Sequence, residues 1–316
     1  METQPTRRNR PRSQPTPSGR RTLITDKDIF GIFEPLSRHA QLTTKQLVAF
    51  DSRHASNTRS RLTDLYHERG EWLVRLSESL KLANSLFIDE MYRLGEDAED
   101  LLIARGIIPA EKWVRISRVG GNSTAPSRIF RLAHDHMASH IALDIEIGAR
   151  AAHRRFRNHI EIIRQAPERT RGFPKPLRVL VPPIPGAPQW IEPDALIGID
   201  DRYFAIEADT GSESIEGVIK PKIRAYREIV ASGIIDQHFG ISNLRVLFVT
   251  TNEKRMRNMI AAVASIAREG RSTMFGFACR PDLGQLAGAL APDGRLFEQP
   301  WLRAGREDMR LDLANR

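Results

Sequence analysis

One cysteine, Cys279, stands in a chain of 316 residues. That excludes an internal disulfide and any zinc site built on several cysteines. Cys279 lies in an apolar, β-prone run, where it reads as buried filler rather than a nucleophile. No stretch of about 18 apolar residues occurs, so no membrane span is expected. The basic N-terminus is followed by no apolar segment, so it does not read as a secretion signal, and a cytoplasmic location is expected. Only four tyrosines are present, Tyr66, Tyr92, Tyr203 and Tyr226, which leaves little room for tyrosine-based strand transfer.

What is present is an ordinary soluble composition, 41% hydrophobic and 28% charged, long enough for about two domains. The net charge of +9 is clustered, and this favours a polyanionic partner, most simply double-stranded DNA. Residues 1–22 carry six arginines against one acid, Glu2, with no apolar period. They read as a disordered basic arm able to touch phosphates without sequence preference.

Residues 23–106 read as three helices followed by two strands. Thr25 caps the first helix, with Asp28 three positions on, and Thr43 or Thr44 caps the second after a break at Leu42-Thr43-Thr44. The third runs from about Asn57 to Arg69, ends at Gly70 and turns Leu62, Leu65 and Tyr66 inward. Two alternating runs, Trp72 to Leu76 and Leu86 to Leu94, complete a winged helix-turn-helix. The N-terminal residues of the third helix then enter a DNA groove, which nominates Asn57, Thr58, Arg59 and Arg61. The plainer reading is a three-helix module for protein contacts.

Residues 107–127 read as a linker around Gly120-Gly121, and residues 128–280 as an α/β domain. Ser127 to Gln165 is expected to be one helical region whose basic face includes Arg154, Arg155 and Arg157, further DNA-binding candidates. His134, His136 and His140 lie on it without an accompanying HExxH pattern, so packing is favoured over zinc. Leu177–Val181 reads as a strand, Leu244–Thr250 as a buried central strand, Glu253–Arg268 as a helix and Thr273–Ala278 as a last strand. Residues 281–316 read as a C-terminal extension of loops, with at most a short helix at Met309–Leu313.

The stretch Ile191 to Asp209 organises the rest. Two apolar runs flank Asp200-Asp201, which marks a hairpin turn. Counting outward from that turn pairs Ile199 with Arg202 and Asp194 with Glu207, and Asp209 shares the face of Glu207. Like charges facing each other destabilise a sheet. Three carboxylates kept together therefore call for a compensating cation, and an all-oxygen site suits Mg²⁺ or Mn²⁺. The plainer reading is an acidic edge facing solvent.

These residues resemble a known superfamily. Pro193-Asp194 followed by Glu207-Ala208-Asp209 resembles the PD-(D/E)XK signature of restriction-endonuclease-like folds, and Lys222 with Tyr226 is similar to a K-x-x-x-Y element of many such nucleases. With Leu42-Thr43-Thr44-Lys45-Gln46-Leu47, Tyr92-Arg93-Leu94-Gly95 and Ile206-Glu207-Ala208-Asp209-Thr210-Gly211 in order, the chain resembles the replication-relaxation family of mobile-element proteins over roughly residues 23–280. The resemblance implies an N-terminal winged helix and a C-terminal nuclease-like α/β domain, a mixed sheet flanked by helices. It implies a protein of a plasmid, phage or integrative element that nicks or cleaves DNA. Asp194 and Glu207 would hold the metal, Asp209 would assist as a further ligand or orient the water, and Lys222 would stabilise charge. Asp144 or Glu146 could complete the metal shell. One departure is plain: the family's catalytic Lys position is Asp209, which cannot supply positive charge. A non-catalytic DNA-binding regulator or replication adaptor is the alternative. A homo-oligomer and replication or conjugation proteins stay open as partners.

Overall fold

The computed structural model describes residues 14–19, 23–68, 72–75, 88–110, 125–284, 286 and 288–313, without the side chains of 125–130. The chain divides into two compact units, Met1–Phe130 with Gln285–Ala291, and Arg131–Gly284 with Pro292–Arg316.

The first unit is built from capped helices and a small sheet. The Asp28 carboxylate accepts from both the Thr25 backbone N–H and its hydroxyl, each at 2.9 Å, which starts α1 (Asp26–Asp28). This helix continues through a π-helical turn, Ile29–Phe33, into α2 (Glu34–Arg38). Thr43 and Gln46 cap each other reciprocally, at 2.8 and 3.2 Å, and start α3 (Thr44–Phe50). The next helix, α4, spans Ala55–His67 and buries Leu62, Leu65 and Tyr66. Leu42–Thr43, expected as a simple break, is a short strand, β1. It pairs with β3 (Met91–Leu94), which also pairs with β2 (Leu73–Arg75) to give a three-stranded antiparallel sheet. A helix, α5 (Glu96–Ala104), follows.

Three expectations fall wholly or partly outside the described residues: the arginines of the basic arm (Arg7, Arg8, Arg10, Arg12, Arg20 and Arg21), the strand residues Leu76 and Leu86 with Gly70, and most of the 107–127 linker. The arm's expected disorder is corrected at Thr16 and Ser18. Their backbone N–H groups donate to His67 Nδ1 at 3.1 Å and Glu68 Oε2 at 2.9 Å, so this part is tied to the end of α4.

One buried carboxylate ties the helices of this unit together. Asp28 is fully buried, and Arg53 donates to it at 2.7 Å while Arg61 donates at 2.9 and 2.6 Å. Burial alone would raise its pKa, but the bonds from Arg61 and Arg53 outweigh this and hold it below the usual carboxylate range.

The second unit is a mixed α/β layer. Its seven-stranded sheet has, from one edge to the other, the order β12, β11, β10, β9, β8, β7, β4. These strands are β4 (Phe156–Arg157), β7 (Ala195–Ile199), β8 (Arg202–Asp209), β9 (Arg245–Thr250), β10 (Phe275–Cys279), β11 (Trp301–Arg303) and β12 (Arg306–Met309). Strands β8, β9 and β10 run parallel and the other pairings are antiparallel. Helices α9 (Lys220–Ala231) and α10 (Ile234–Phe239) connect β8 to β9, and α11 (Glu253–Ile266) connects β9 to β10. The β7–β8 hairpin has the register counted from its turn, Ile199 opposite Arg202 and Ala195 opposite Ile206. Asp200 takes the positive φ of 53° that a tight hairpin turn needs.

Several expectations are corrected here. The helical region from Ser127 to Gln165 is broken: α6 (Ala125–Ala151) ends, β4 adds to the sheet edge, and α7 (His159–Gln165) starts afresh. Asn158 and Glu161 cap α7 reciprocally. After α8 (Glu168–Arg171), the strand within Leu177–Val181 is β5 (Val179–Leu180), which pairs only with β6 (Trp190–Ile191) in a separate two-stranded sheet. Residues 281–316 are not merely loops, because β11 and β12 extend the main sheet and the expected helix at Met309–Leu313 is absent. The turn before them, with α12 (Arg295–Glu298), is pinned to α6. Asp144 accepts from the backbone N–H groups of Asp293, Gly294 and Leu296 at 2.7, 3.0 and 2.7 Å. Gly148 permits the close approach, since a Cβ there would sit 2.5 Å from Phe297 Cβ.

The histidines of α6 fall into two groups. His136 and His140 are fully buried with ring centroids 6.2 Å apart. Burial, then His140, lowers the His136 pKa to about 3, and burial, then Arg280, lowers that of His140 to about 4, against Asp282 and Asp293. Both are neutral in the fold at neutral pH.

Two predictions follow from this packing. Asp28→Ala leaves two guanidinium groups without their buried partner and is expected to cost about 3 kcal/mol or more, read as a lower denaturant midpoint for the first unit. A midpoint within experimental error of wild type would show that the arginines find other partners. For His136 and His140, the unfolded chain takes up protons below about pH 6.5 that the fold refuses. Stability is then fully present above that pH and declines as pH falls toward 4. Urea midpoints between pH 7 and 5 should decline in the wild type and decline less steeply in His136→Leu/His140→Leu.

Candidate active site

Strand pairing and one helix assemble this site. Asp194 immediately precedes β7, whose first pair is Ala195 with Ile206, and Glu207 follows Ile206 in β8. Asp194 is fixed by its surroundings: its backbone N–H donates to Ile206 O at 3.0 Å, and its Oδ2 accepts from the Ala208 N–H at 2.8 Å. Helix α9 begins after a π-helical turn, Ile215–Ile219, and brings Lys222 and Tyr226, one turn apart, onto Glu207. Lys222 Nζ donates to Glu207 Oε2 at 2.8 Å, and the Tyr226 hydroxyl donates to Glu207 Oε1. Both oxygens of a carboxylate that is almost completely buried are thus satisfied.

The electrostatics follow from burial and charge. Burial raises the Glu207 carboxyl, Lys222 opposes this and Asp194 adds to it, and together they place it at about 7. The Glu207 charge, against burial, holds Lys222 above the usual ammonium range. Burial and then Glu207 raise Tyr226 well above an ordinary phenol, so it donates and does not ionise. Asp194 would also be raised by burial, but the neighbouring His134 and Lys222 outweigh this and keep it below the usual range.

His134 was not among the residues singled out for this site. It projects from α6 with Nε2 3.4 Å from Asp194 Oδ2 and Nδ1 3.8 Å from Asp135 Oδ1. Asp135 and then Asp194 raise its pKa to about 11, against burial. No sequence neighbour sets it apart, because Asp135 adjoins His136 as well.

Asp209, expected to join the two carboxylates, is engaged elsewhere. Arg255 of α11 clamps it by bonds of 2.6 and 2.7 Å, and the Thr250 hydroxyl donates to it at 2.7 Å. The other proposed shell residues also point elsewhere: Asp144 holds the 293–296 turn, and Glu146 pairs with Arg150 at 2.6 Å. No group of three His, Cys, Asp or Glu residues among those described is arranged to hold a metal ion. What converges is two coupled carboxylates, two cations and a phenol.

The nucleic-acid candidates are placed unequally. Asn57 and Arg59 are exposed near the start of α4. Thr58 is fully buried and its hydroxyl donates to Asp51 at 2.8 Å, so it faces the unit's interior, while Arg61 is bound to Asp28 and to Leu23 O. Arg154, Arg155 and Arg157 do not share a helical face, because α6 has already ended. Arg154 pairs with Asp200 and donates to Asp312 O at 2.6 Å. Arg157 is buried and bound to the Tyr203 hydroxyl and Asp200 O, and the Arg155 side chain is exposed. These contacts brace the hairpin turn, at the opposite end of β7 and β8 from Asp194 and Glu207.

The coupling within the site can be measured. Lys222→Met removes the charge that most lowers the Glu207 pKa, which should then rise above about 7. A carbon-13 carboxyl titration by NMR reads this directly, and an unmoved Glu207 would separate the two groups.

No curated protein and no solved structure matches the chain. No helix among the described residues is long and apolar enough to cross a membrane. The family model described as replication-relaxation matches residues 33–244, which spans α2 to α4, the β7–β8 hairpin and the helix carrying Lys222 and Tyr226. The chain belongs to the replication-relaxation family.

Proposed function

We infer that this is a DNA-binding protein of a plasmid, phage or integrative element, acting in its replication or DNA relaxation by metal-dependent phosphodiester hydrolysis. The observation that carries the reading is the meeting of Asp194 and Glu207, from neighbouring strands, with Lys222 from the next helix at 2.8 Å. This arrangement resembles the constellation of a PD-(D/E)XK nuclease, with a lysine delivered from α9 instead of from the strand. Helices α1–α4 with an antiparallel three-stranded sheet support a winged helix-turn-helix for the first unit, which would present Asn57 and Arg59 to duplex DNA.

Asp194 and Glu207 are the residues that would hold Mg²⁺ or Mn²⁺. Their hard oxygen donors suit such an ion, which commonly takes only one or two protein carboxylates. When bound, it supplies Lewis acidity toward the phosphate and a more acidic water for attack. The chain's own residues do the rest. Tyr226 holds Glu207 through Oε1, and the Ala208 N–H holds Asp194. Lys222 carries the positive charge that Asp209 cannot, next to where negative charge develops. Arg255 keeps Asp209 out of the site, so that its carboxylate adds no further repulsion to an incoming phosphate.

A specific observation favours a second reading. Both Glu207 oxygens are bound by the chain itself, and the usual lysine position is an acid locked to Arg255. A non-catalytic DNA-binding regulator or replication adaptor on a nuclease-like scaffold would look the same.

Nicking of supercoiled DNA of the host element, with Mg²⁺ and with EDTA, separates the two. Asp194→Asn and Glu207→Gln should each lower the Mg²⁺-dependent rate by about a hundredfold or more, as loss of a group stabilising the transition state does. Salt-sensitive DNA binding without any nicking would instead establish the regulator reading.

A further inference from the structure

The cations around the carboxylates are held with unequal strength. Lys222 bonds Glu207 at 2.8 Å, and Arg255 grips Asp209 through two nitrogens. Lys220, at the start of the same helix, is paired with Glu216 at 3.0 Å. His134 differs from all of them. Its contacts to Asp194 and Asp135, at 3.4 and 3.8 Å, exceed the ordinary N–H···O range. Its side chain is 35% exposed, against 24% for Lys222 and 16% for Arg255. The most open and most loosely held donor beside Asp194 is therefore an imidazole mounted on a 27-residue helix.

A phosphodiester approaching Asp194 and Glu207 meets two acids, and its non-bridging oxygens need donors to offset them. The strand position that the resemblance assigns to that task is acidic here, and Lys222 is already engaged by Glu207 at 2.8 Å. A ring N–H released from Asp194 can serve an outward-lying oxygen without breaking any short hydrogen bond.

We propose that His134 is a further residue of this site, which contacts a DNA phosphate by moving a ring N–H from Asp194 to a non-bridging oxygen. The inference rests on the proposed function in requiring a phosphodiester ligand, but it does not require cleavage.

The test uses the full chain with nitrogen-15-labelled histidine and the dinucleotide pTpT as probe, in Ca²⁺ and separately in EDTA. The His134 ring resonances should shift on addition of pTpT, while those of the buried His136 and His140 stay fixed. His134→Ala should weaken pTpT binding about tenfold, the scale of one charge-assisted hydrogen bond. His134→Gln, which retains an N–H donor, should recover part of that loss. Should His134→Ala fail to fold, the wild-type ring shifts and the Gln variant decide. Bound pTpT with unmoved His134 resonances, or His134→Ala binding as tightly as wild type, overturns the proposal and leaves the nuclease reading intact. Failure of the wild type to bind pTpT overturns both. Binding through His134 without nicking activity sinks the nuclease reading alone.

Discussion

A carboxylate removed from water must find a cation or give up its charge, and Glu207 sits at that limit. The sheet buries it, Lys222 compensates it and Tyr226 fixes its remaining oxygen. The position of α9 follows from this requirement, because only a helix starting soon after β8 can return a lysine and a tyrosine one turn apart to the same side chain. The π-helical turn Ile215–Ile219 leads into that helix. The nearby acid, Asp209, meets the same requirement with a different helix, α11, through Arg255. Two crossover helices are thereby anchored by charge as well as by their apolar faces.

The hairpin was legible because its turn sets its register. Asp200-Asp201 between two apolar runs leaves one way of pairing the strands, and alternation then places Asp194 against Glu207. The spacing of Lys222 and Tyr226 was equally readable as a K-x-x-x-Y element. The cap at Thr25 was visible from side-chain chemistry alone, which narrowed the second cap to Thr43 or Thr44 before the structure placed it at Thr43. The crowded acids were expected to hold a metal ion, and the cations that the fold itself sets beside them are Lys222, His134 and Arg255. Lys222 was named from the resemblance, but His134 and Arg255 were not, since a partner distant in sequence leaves no periodic trace.

Other features were hidden for physical reasons. Strands β4, β11 and β12 are two to four residues long, too short for an alternating pattern to emerge. The end of α6 depends on His153 adopting a φ of 53°, a conformation that non-glycine residues seldom take. The reciprocal cap at Asn158 and Glu161 was a usable sign of a new helix, overridden by the basic run before it. Thr58 looked exposed at the start of a recognition helix, yet its hydroxyl serves Asp51. The composition of a helix start does not tell which of its side chains turn inward.

The late strands bear on how the polypeptide acquires its shape during synthesis. Trp301, fully buried, and Met309 belong to the main sheet, while Lys45 of the first unit donates to the carbonyl of Ala289 at 2.8 Å. Neither unit is finished until the ribosome has passed residue 290. Contacts separated by so much intervening chain form slowly, because loop closure must precede them. The open edge of β10 therefore waits, unpaired, until β11 has left the exit tunnel. A nascent chain stalled short of that point would present a sticky strand margin to its neighbours.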